Sequence, residues 1–225
     1  MTFAPYQFWQ DLYAPGTLAG DDAAGYQGHY PATLPDGRQI ALPIRVLPGD
    51  GDQAVASLIV NQASFAVQAA LADALATRLA PFAPEVVIGV PTLGLPLAAA
   101  VAQRLGHGRF VPLGTSRKFW YDEALSQPMT SITSPDQVKR LYLDPRMLPV
   151  LAGRRVALID DVASSGSTLR AVLALLDRAG VVPVVAGFAM LQGSGWHGVA
   201  PCPVEAAFST PRLRLGPDGR WRPLA

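Results

Sequence analysis

The stretch Arg155-Val156-Ala157-Leu158-Ile159-Asp160-Asp161-Val162-Ala163-Ser164-Ser165-Gly166-Ser167-Thr168-Leu169 constrains this chain more than any other. Residues 156–159 form an uninterrupted apolar run of strand length, the pattern of a strand covered on both faces in a parallel sheet. Two carboxylates, Asp160 and Asp161, follow at its C-terminal end, and every residue from 163 to 168 is small. Small residues let several backbone N–H groups converge on one point, and Thr168 leads into the helical spacing of Leu169, Val172, Leu173, Leu175 and Leu176. A phosphate group suits such a loop at a helix N-terminus. The paired acids beside it are repulsive unless the ligand also brings hydroxyls or a divalent cation. A ribose 5-phosphate satisfies both halves.

This run of apolar strand, two acids and Ser/Thr/Gly loop closely resembles the fingerprint of type I phosphoribosyltransferases. The resemblance implies that Asp160 and Asp161 hold the ribose 2′- and 3′-hydroxyls of phosphoribosyl pyrophosphate (PRPP). It also implies that Val162, Ala163, Ser164, Ser165, Gly166, Ser167 and Thr168 complete the PRPP site around the 5′-phosphate. Mg²⁺ would be the cofactor, reached by Asp160 and Asp161 indirectly, through ribose hydroxyls or water. A Walker-type phosphate loop is excluded: there is no Gly-Lys-Ser/Thr triplet, and Lys118 and Lys139 are the only lysines.

With 225 residues, 50% hydrophobic and 16% charged, the chain can build one sizeable α/β core or one core with an appendage. The net charge of +1 and the lack of a basic stripe argue against a nucleic-acid partner and an anionic membrane. The first ten residues lack a basic start and an apolar stretch of signal-peptide length, and no apolar run approaches a membrane span, so a cytoplasmic location is expected. The single cysteine, Cys202, reads as a buried small residue, and His29, His107 and His197 are too scattered for a metal site.

Residues 1–51 read as an accessory hood, aromatic and rich in Pro and Gly, with a hairpin signal at Asp36-Gly37. Residues 52–225 read as the core with a C-terminal extension. Asp52 is placed to cap a long helix carrying Val55, Leu58, Ile59, Phe65, Leu71, Leu75 and Leu79, which Pro81 and Pro84 end. A strand (86–90), a turn (91–95), a helix (96–105), a strand (110–113) and an irregular segment (114–146) come next. The fingerprint strand and helix follow, then a strand over 182–190. This alternation predicts a Rossmann-like parallel sheet with right-handed crossovers and helices on both faces, plus the hood. Ligands of such sheets bind beyond the C-terminal strand ends, which selects the loops 91–95, 114–146 and 160–168 and the segment after the strand at 182–190.

In the type I family those positions carry the pyrophosphate loop, a mobile catalytic loop, the PRPP loop and a base-stacking segment. Thr92-Leu93-Gly94 would bind pyrophosphate, although the basic residue frequent there is missing, and Gly94-Leu95-Pro96-Leu97 looks like the uncharged loop of xanthine phosphoribosyltransferases. Arg117-Lys118 resembles the Arg-Lys pair of adenine and xanthine phosphoribosyltransferases, which faces the pyrophosphate; Phe119, Trp120 and Tyr121 are expected to pack the base of that loop. Ser164 stands where hypoxanthine-guanine enzymes carry an aspartate, and Gln192-Gly193 lies where a 6-oxo-reading lysine would be. Gln192 and Trp196 are therefore the candidates for binding the base, with adenine favoured. The resemblance thus implies transfer of the phosphoribosyl group from PRPP to a nucleobase, most like the adenine/xanthine purine-salvage branch, with Asp160, Asp161, Arg117 and Lys118 catalytic and a homodimer as the assembly. Two alternatives stand beside it: a PRPP-binding regulator without activity, against which the absence of a basic recognition helix speaks, and a transferase for a non-purine acceptor.

Overall fold

The aromatic residues at the start of the chain turn inward: Phe8 and Trp9 are buried, and the Trp9 indole N–H donates to the Ser57 carbonyl at 2.9 Å. In this computed structural model the structure describes residues 1–131 and 134–224, apart from the side chains of residues 130–139. Strands β1 (His29–Thr33) and β2 (Gln39–Val46) form an antiparallel hairpin whose turn is closed by Leu34 and Arg38, with Gly37 at φ 85°. Left-handed backbone of this kind favours glycine.

Residues expected to begin a helix at Asp52 instead form strand β3 (Gln53–Ala56), which extends the hairpin sheet. The periodicity there is two: Ala54 and Ala56 are buried while Gln53 and Val55 are only partly covered. Helix α1 (Phe65–Leu79) starts later, at a Ser64 cap whose hydroxyl accepts from the Val67 N–H at 3.2 Å. Then come β4 (Val86–Gly89), α2 (Gly94–Arg104) and the short β5 (Val111–Pro112). The segment expected to be irregular holds an antiparallel hairpin, β6 (Ser126–Ser131) and β7 (Ser134–Tyr142), followed by the one-turn α3 (Leu148–Leu151). Strand β8 (Val156–Ala163) runs through both acids, so Asp160 and Asp161 lie within it rather than after it. Helix α4 (Ser167–Arg178), β9 (Pro183–Gln192) and β10 (Val204–Thr210) complete the core. Strands β11 (Arg212–Leu215) and β12 (Trp221–Pro223) return to the hood.

The central sheet is parallel throughout, in the order β10-β9-β8-β4-β5. Its strands alternate between two cores. Val87, Ala157, Ile159, Val185 and Ala189 pack with α1, α2 and the hood; Val86, Ile88, Val156, Leu158 and Phe188 pack with α4 and the base of the β6–β7 hairpin, including Leu141 and Leu143. A strand buried on both faces has to be apolar at consecutive positions, which is what residues 156–159 are. The hood is a second sheet, antiparallel, in the order β1-β2-β3-β11-β12. Arg212 pairs with Val55 and Leu213 with Ala54, so strands far apart in sequence share one wall. Cys202 is only partly buried, and among the described residues no helix is long and apolar enough to cross a membrane.

Candidate functional site

The turn after β8 builds a small cradle. Gly166 caps α4 in left-handed backbone, φ 75°, with no side-chain cap, and a cavity of about 130 Å³ is lined by Val162, Ala163, Ser164, Ser165, Gly166, Ser167 and Thr168. The Ser165 hydroxyl lies 3.1 Å from that of Ser167 and accepts the Ser167 N–H at 3.3 Å. First-turn N–H groups have no partner inside their own helix, so an anion at this point meets donors and the positive end of the helix.

The cradle is braced from behind. A Cβ on Gly166 would come 2.8 Å from Val199 Cγ2 and 3.2 Å from Trp196 Cα, and one on Gly195 would come 2.8 Å from the Ser164 carbonyl oxygen. Trp196 is partly buried against the core that includes α4, and its N–H donates to the Gly193 carbonyl at 3.0 Å. Trp196 is not among the residues lining the cradle or the main cleft, and its N–H bond to Gly193 holds it beside the loop.

Asp160 is 7% exposed and Asp161 is half-buried. Burial pushes both carboxyls above the ordinary range, and the neighbouring Asp161 charge pushes Asp160 further. The Asp160 Oδ1 accepts the Asp161 N–H at 2.9 Å. The start of α2 presses directly on this pair: a Cβ on Gly94 would lie 2.7 Å from Asp160 Oδ1 and 2.8 Å from Asp160 Cα. The close approach that Gly94 permits is thus to β8, while Thr92 and Leu93 line the ligand space.

The main cleft, about 730 Å³, joins these parts. Asp160, Asp161, Ser164 and Thr168 form its floor, Pro91, Thr92 and Leu93 one side, and Leu47, Val55, Leu58, Ile59, Met190, Gln192 and Arg212 the other. Gln192 is buried and its Nε2 donates to the Ala56 carbonyl at 2.7 Å. Arg212 escaped the sequence reading, although the alternation Arg212-Leu213-Arg214-Leu215 before Asp218-Gly219 carries the same strand-and-turn signal as the first hairpin.

Arg117 and Lys118 do not line the cleft. Both are exposed, and Arg117 lies 3.5 Å from Glu123. Phe119 is 95% exposed rather than packed at the loop base. Trp120 does anchor there: its N–H donates to Asp144 at 3.3 Å and Arg146 lies 4.5 Å over its ring. Arg146 also holds the Asp144 carboxyl down at about 2. Backbone pairing places Lys139 opposite Met129, while its side chain lies outside the described residues.

A family model described as the phosphoribosyl transferase domain matches residues 57–196, more than half of the chain. The chain belongs to that family. Among its relatives, the adenine phosphoribosyltransferase of Streptomyces coelicolor is 32% identical over 167 residues, covering 71% of this chain and 85% of its own. The xanthine phosphoribosyltransferase of Chloroflexus aurantiacus is 35% identical over 126 residues; that match covers 54% of this chain and only 56% of the relative. The phosphoribosyl transferase fold recurs in the solved APRTase from Giardia lamblia complexed with 9-deazaadenine, with a TM-score of 0.59, 20% identity and coverage of 75% of this chain and 93% of that one. The adenine phosphoribosyltransferase from Rhodothermus marinus gives a TM-score of 0.54 at 23% identity, covering 74% and 94%. Cradle, acids and Gln192 lie inside the matched phosphoribosyl transferase segment; Leu47, Val55 and Arg212 lie outside it.

Proposed function

We propose that this protein transfers the phosphoribosyl group of PRPP to a ring nitrogen of a purine base, releasing pyrophosphate. The observation that supports the reading is the set of groups sharing one cleft and its adjoining cradle: an anion cradle, a buried and a half-buried carboxylate, a tight turn, and a largely apolar wall with a fixed amide. The same reading includes a homodimer in the cytoplasm.

Displacement at C1 of the ribose passes through a positively charged, oxocarbenium-like ring. Positioning and charge stabilisation therefore carry the catalysis. Thr168, Gly166 and the other cradle residues hold the 5′-phosphate and fix the ring; Asp160 and Asp161 accept from its hydroxyls and set negative charge near C1. Arg117 and Lys118 reach the pyrophosphate when the 114–146 segment closes, which also excludes water. Asp160 and Asp161 would hold a cation indirectly, through the ribose hydroxyls or water. Mg²⁺ bound there would neutralise the departing pyrophosphate.

Gly166→Val and Thr168→Val should each weaken ribose 5-phosphate binding about tenfold or more, the first by crowding the cradle and the second by removing a hydroxyl. Calorimetry with both variants checks this, and retained affinity in both refutes the cradle. Hydrogen exchange across 114–129 should slow on adding Mg-PRPP, and identical exchange in both states would make the loop merely structural.

One of the two Gln192 amide N–H groups is donated to Ala56, which fixes the side chain, and its Oε1 can accept from an N–H such as an exocyclic amine. The 6-amine of adenine, the acceptor favoured here, satisfies it, and so does the ring N–H of a 6-oxopurine, so Gln192 alone does not choose between them. A panel of adenine, hypoxanthine, guanine and xanthine with PRPP and Mg²⁺, following pyrophosphate release, tests the function. Turnover of adenine is the expected result; PRPP binding without turnover of any base would favour the regulatory alternative.

A further inference from the structure

We propose that Arg212, delivered by β11, is a specificity-determining residue that donates to an oxygen of the incoming base and so admits oxopurines of the xanthine type as acceptors alongside adenine. This rests on the phosphoribosyl-transfer reading.

The topology decides which part of the reaction Arg212 serves. Strand β8 carries the acids and is flanked by β4 on one side and β9 on the other. Thr92 and Leu93 follow β4, whereas Gln192 ends β9 and Thr210, two residues before Arg212, pairs with it. A Cβ on Gly193 would sit 3.3 Å from Arg212 Cγ, which seats the arginine stem directly beside the end of β9. The leaving-group turn and Arg212 therefore stand on opposite sides of the ribose-binding acids. Arg212 faces the acceptor.

The surroundings give the chemistry. The acceptor wall is apolar at Leu47, Val55, Leu58, Ile59 and Met190, and Ser57, Gln192 and Arg212 bring polar side chains to it. Ser57 and Gln192 can accept as well as donate, whereas Arg212 offers only donors. Its guanidinium has no ion pair among the described residues; Arg212 also lines the adjoining pocket of the 47–53 loop with Asp50 and Asp52, of which Asp52 lies 3.8 Å from Arg214. Adenine gives Gln192 its amine but offers Arg212 only a neutral ring nitrogen. Xanthine gives Gln192 a ring N–H and Arg212 an oxygen, which shares the delocalised negative charge when the ring is ionised, making the hydrogen bond charge-assisted. Because Arg212, Val55 and Leu47 lie outside the segment matched by the family model, this selection belongs to the hood of this chain.

The test compares the intact protein with R212Q and R212K, measuring kcat and KM for adenine and xanthine with saturating Mg-PRPP, together with ribose 5-phosphate affinity by calorimetry. In R212Q the xanthine KM should rise about tenfold or more. The adenine KM should rise less than about threefold on the same reasoning, and ribose 5-phosphate affinity should hold. R212K, which keeps the charge but not the fork of donors, should fall between the two. Equal effects on both bases, no effect on either, or weakened ribose 5-phosphate binding would overturn the role of Arg212 while leaving the transfer reading in place. Failure of the parent protein to turn over either base would remove both.

Discussion

Replacing Asp160 and Asp161 together by asparagine should abolish Mg-dependent PRPP binding, at least about a hundredfold, while making the fold more stable at neutral pH. The two effects have one cause. Burial raises both carboxyls and the neighbouring Asp161 charge raises Asp160 further, so the folded protein keeps protons that the unfolded chain gives up near pH 4. Stability is then lost as pH rises from the unfolded value through the raised folded ones, and it stays low above them. The asparagine pair has no such loss. Its advantage in melting temperature should be absent below about pH 4 and grow as pH rises. A gain of roughly 1–2 kcal/mol above the window corresponds to roughly 2–8 °C for a chain of this size. Melts at pH 3.5, 5 and 8 with isothermal titration of PRPP check both halves; a variant less stable than the parent at pH 8 would show that the acids support the fold instead of straining it.

Gly94→Ala should be the most damaging single methyl in the molecule. A Cβ there has no room, since it meets the Asp160 carboxyl and the β8 backbone at once, and neither is the movable end of a flexible side chain. Forced separation of α2 from β8 costs about 1–3 kcal/mol, which is roughly 2–12 °C. The shift also moves Asp160, so PRPP affinity should fall about tenfold or more together with stability. A glycine needed only for pyrophosphate approach would lose affinity with an unchanged melting temperature, and that outcome would refute the packing account.

Much of the molecule could be read from the chain because its core obeys local rules. Doubly buried strands must be continuously apolar, and the fingerprint at residues 156–168 combines that rule with a turn made of small residues. Other features depend on partners remote in sequence. Residues 53–56 mimic a helix start because Val55, Leu58 and Ile59 fall at helical intervals, but pairing with β2 and β11 makes them a strand. Gly94 looked like a ligand-facing glycine; its true neighbour is a carboxylate brought there by the sheet. Trp196 and Arg212 exchange the roles their types suggest. The aromatic residue braces a loop, and the arginine, on a strand that pairs with Val55, reaches the cleft.

The pairing of β3 with β11 has a consequence for how the site comes into being. The phosphate end of the cleft arises from a strand, turn and helix contiguous in the chain, so it can form early at small loop-closure cost. The acceptor wall must wait until residues on either side of the whole parallel sheet find each other, the kind of non-local contact that slows folding. On the proposed reading, the sugar-phosphate end of the cleft is expected to form before the wall that selects its partner.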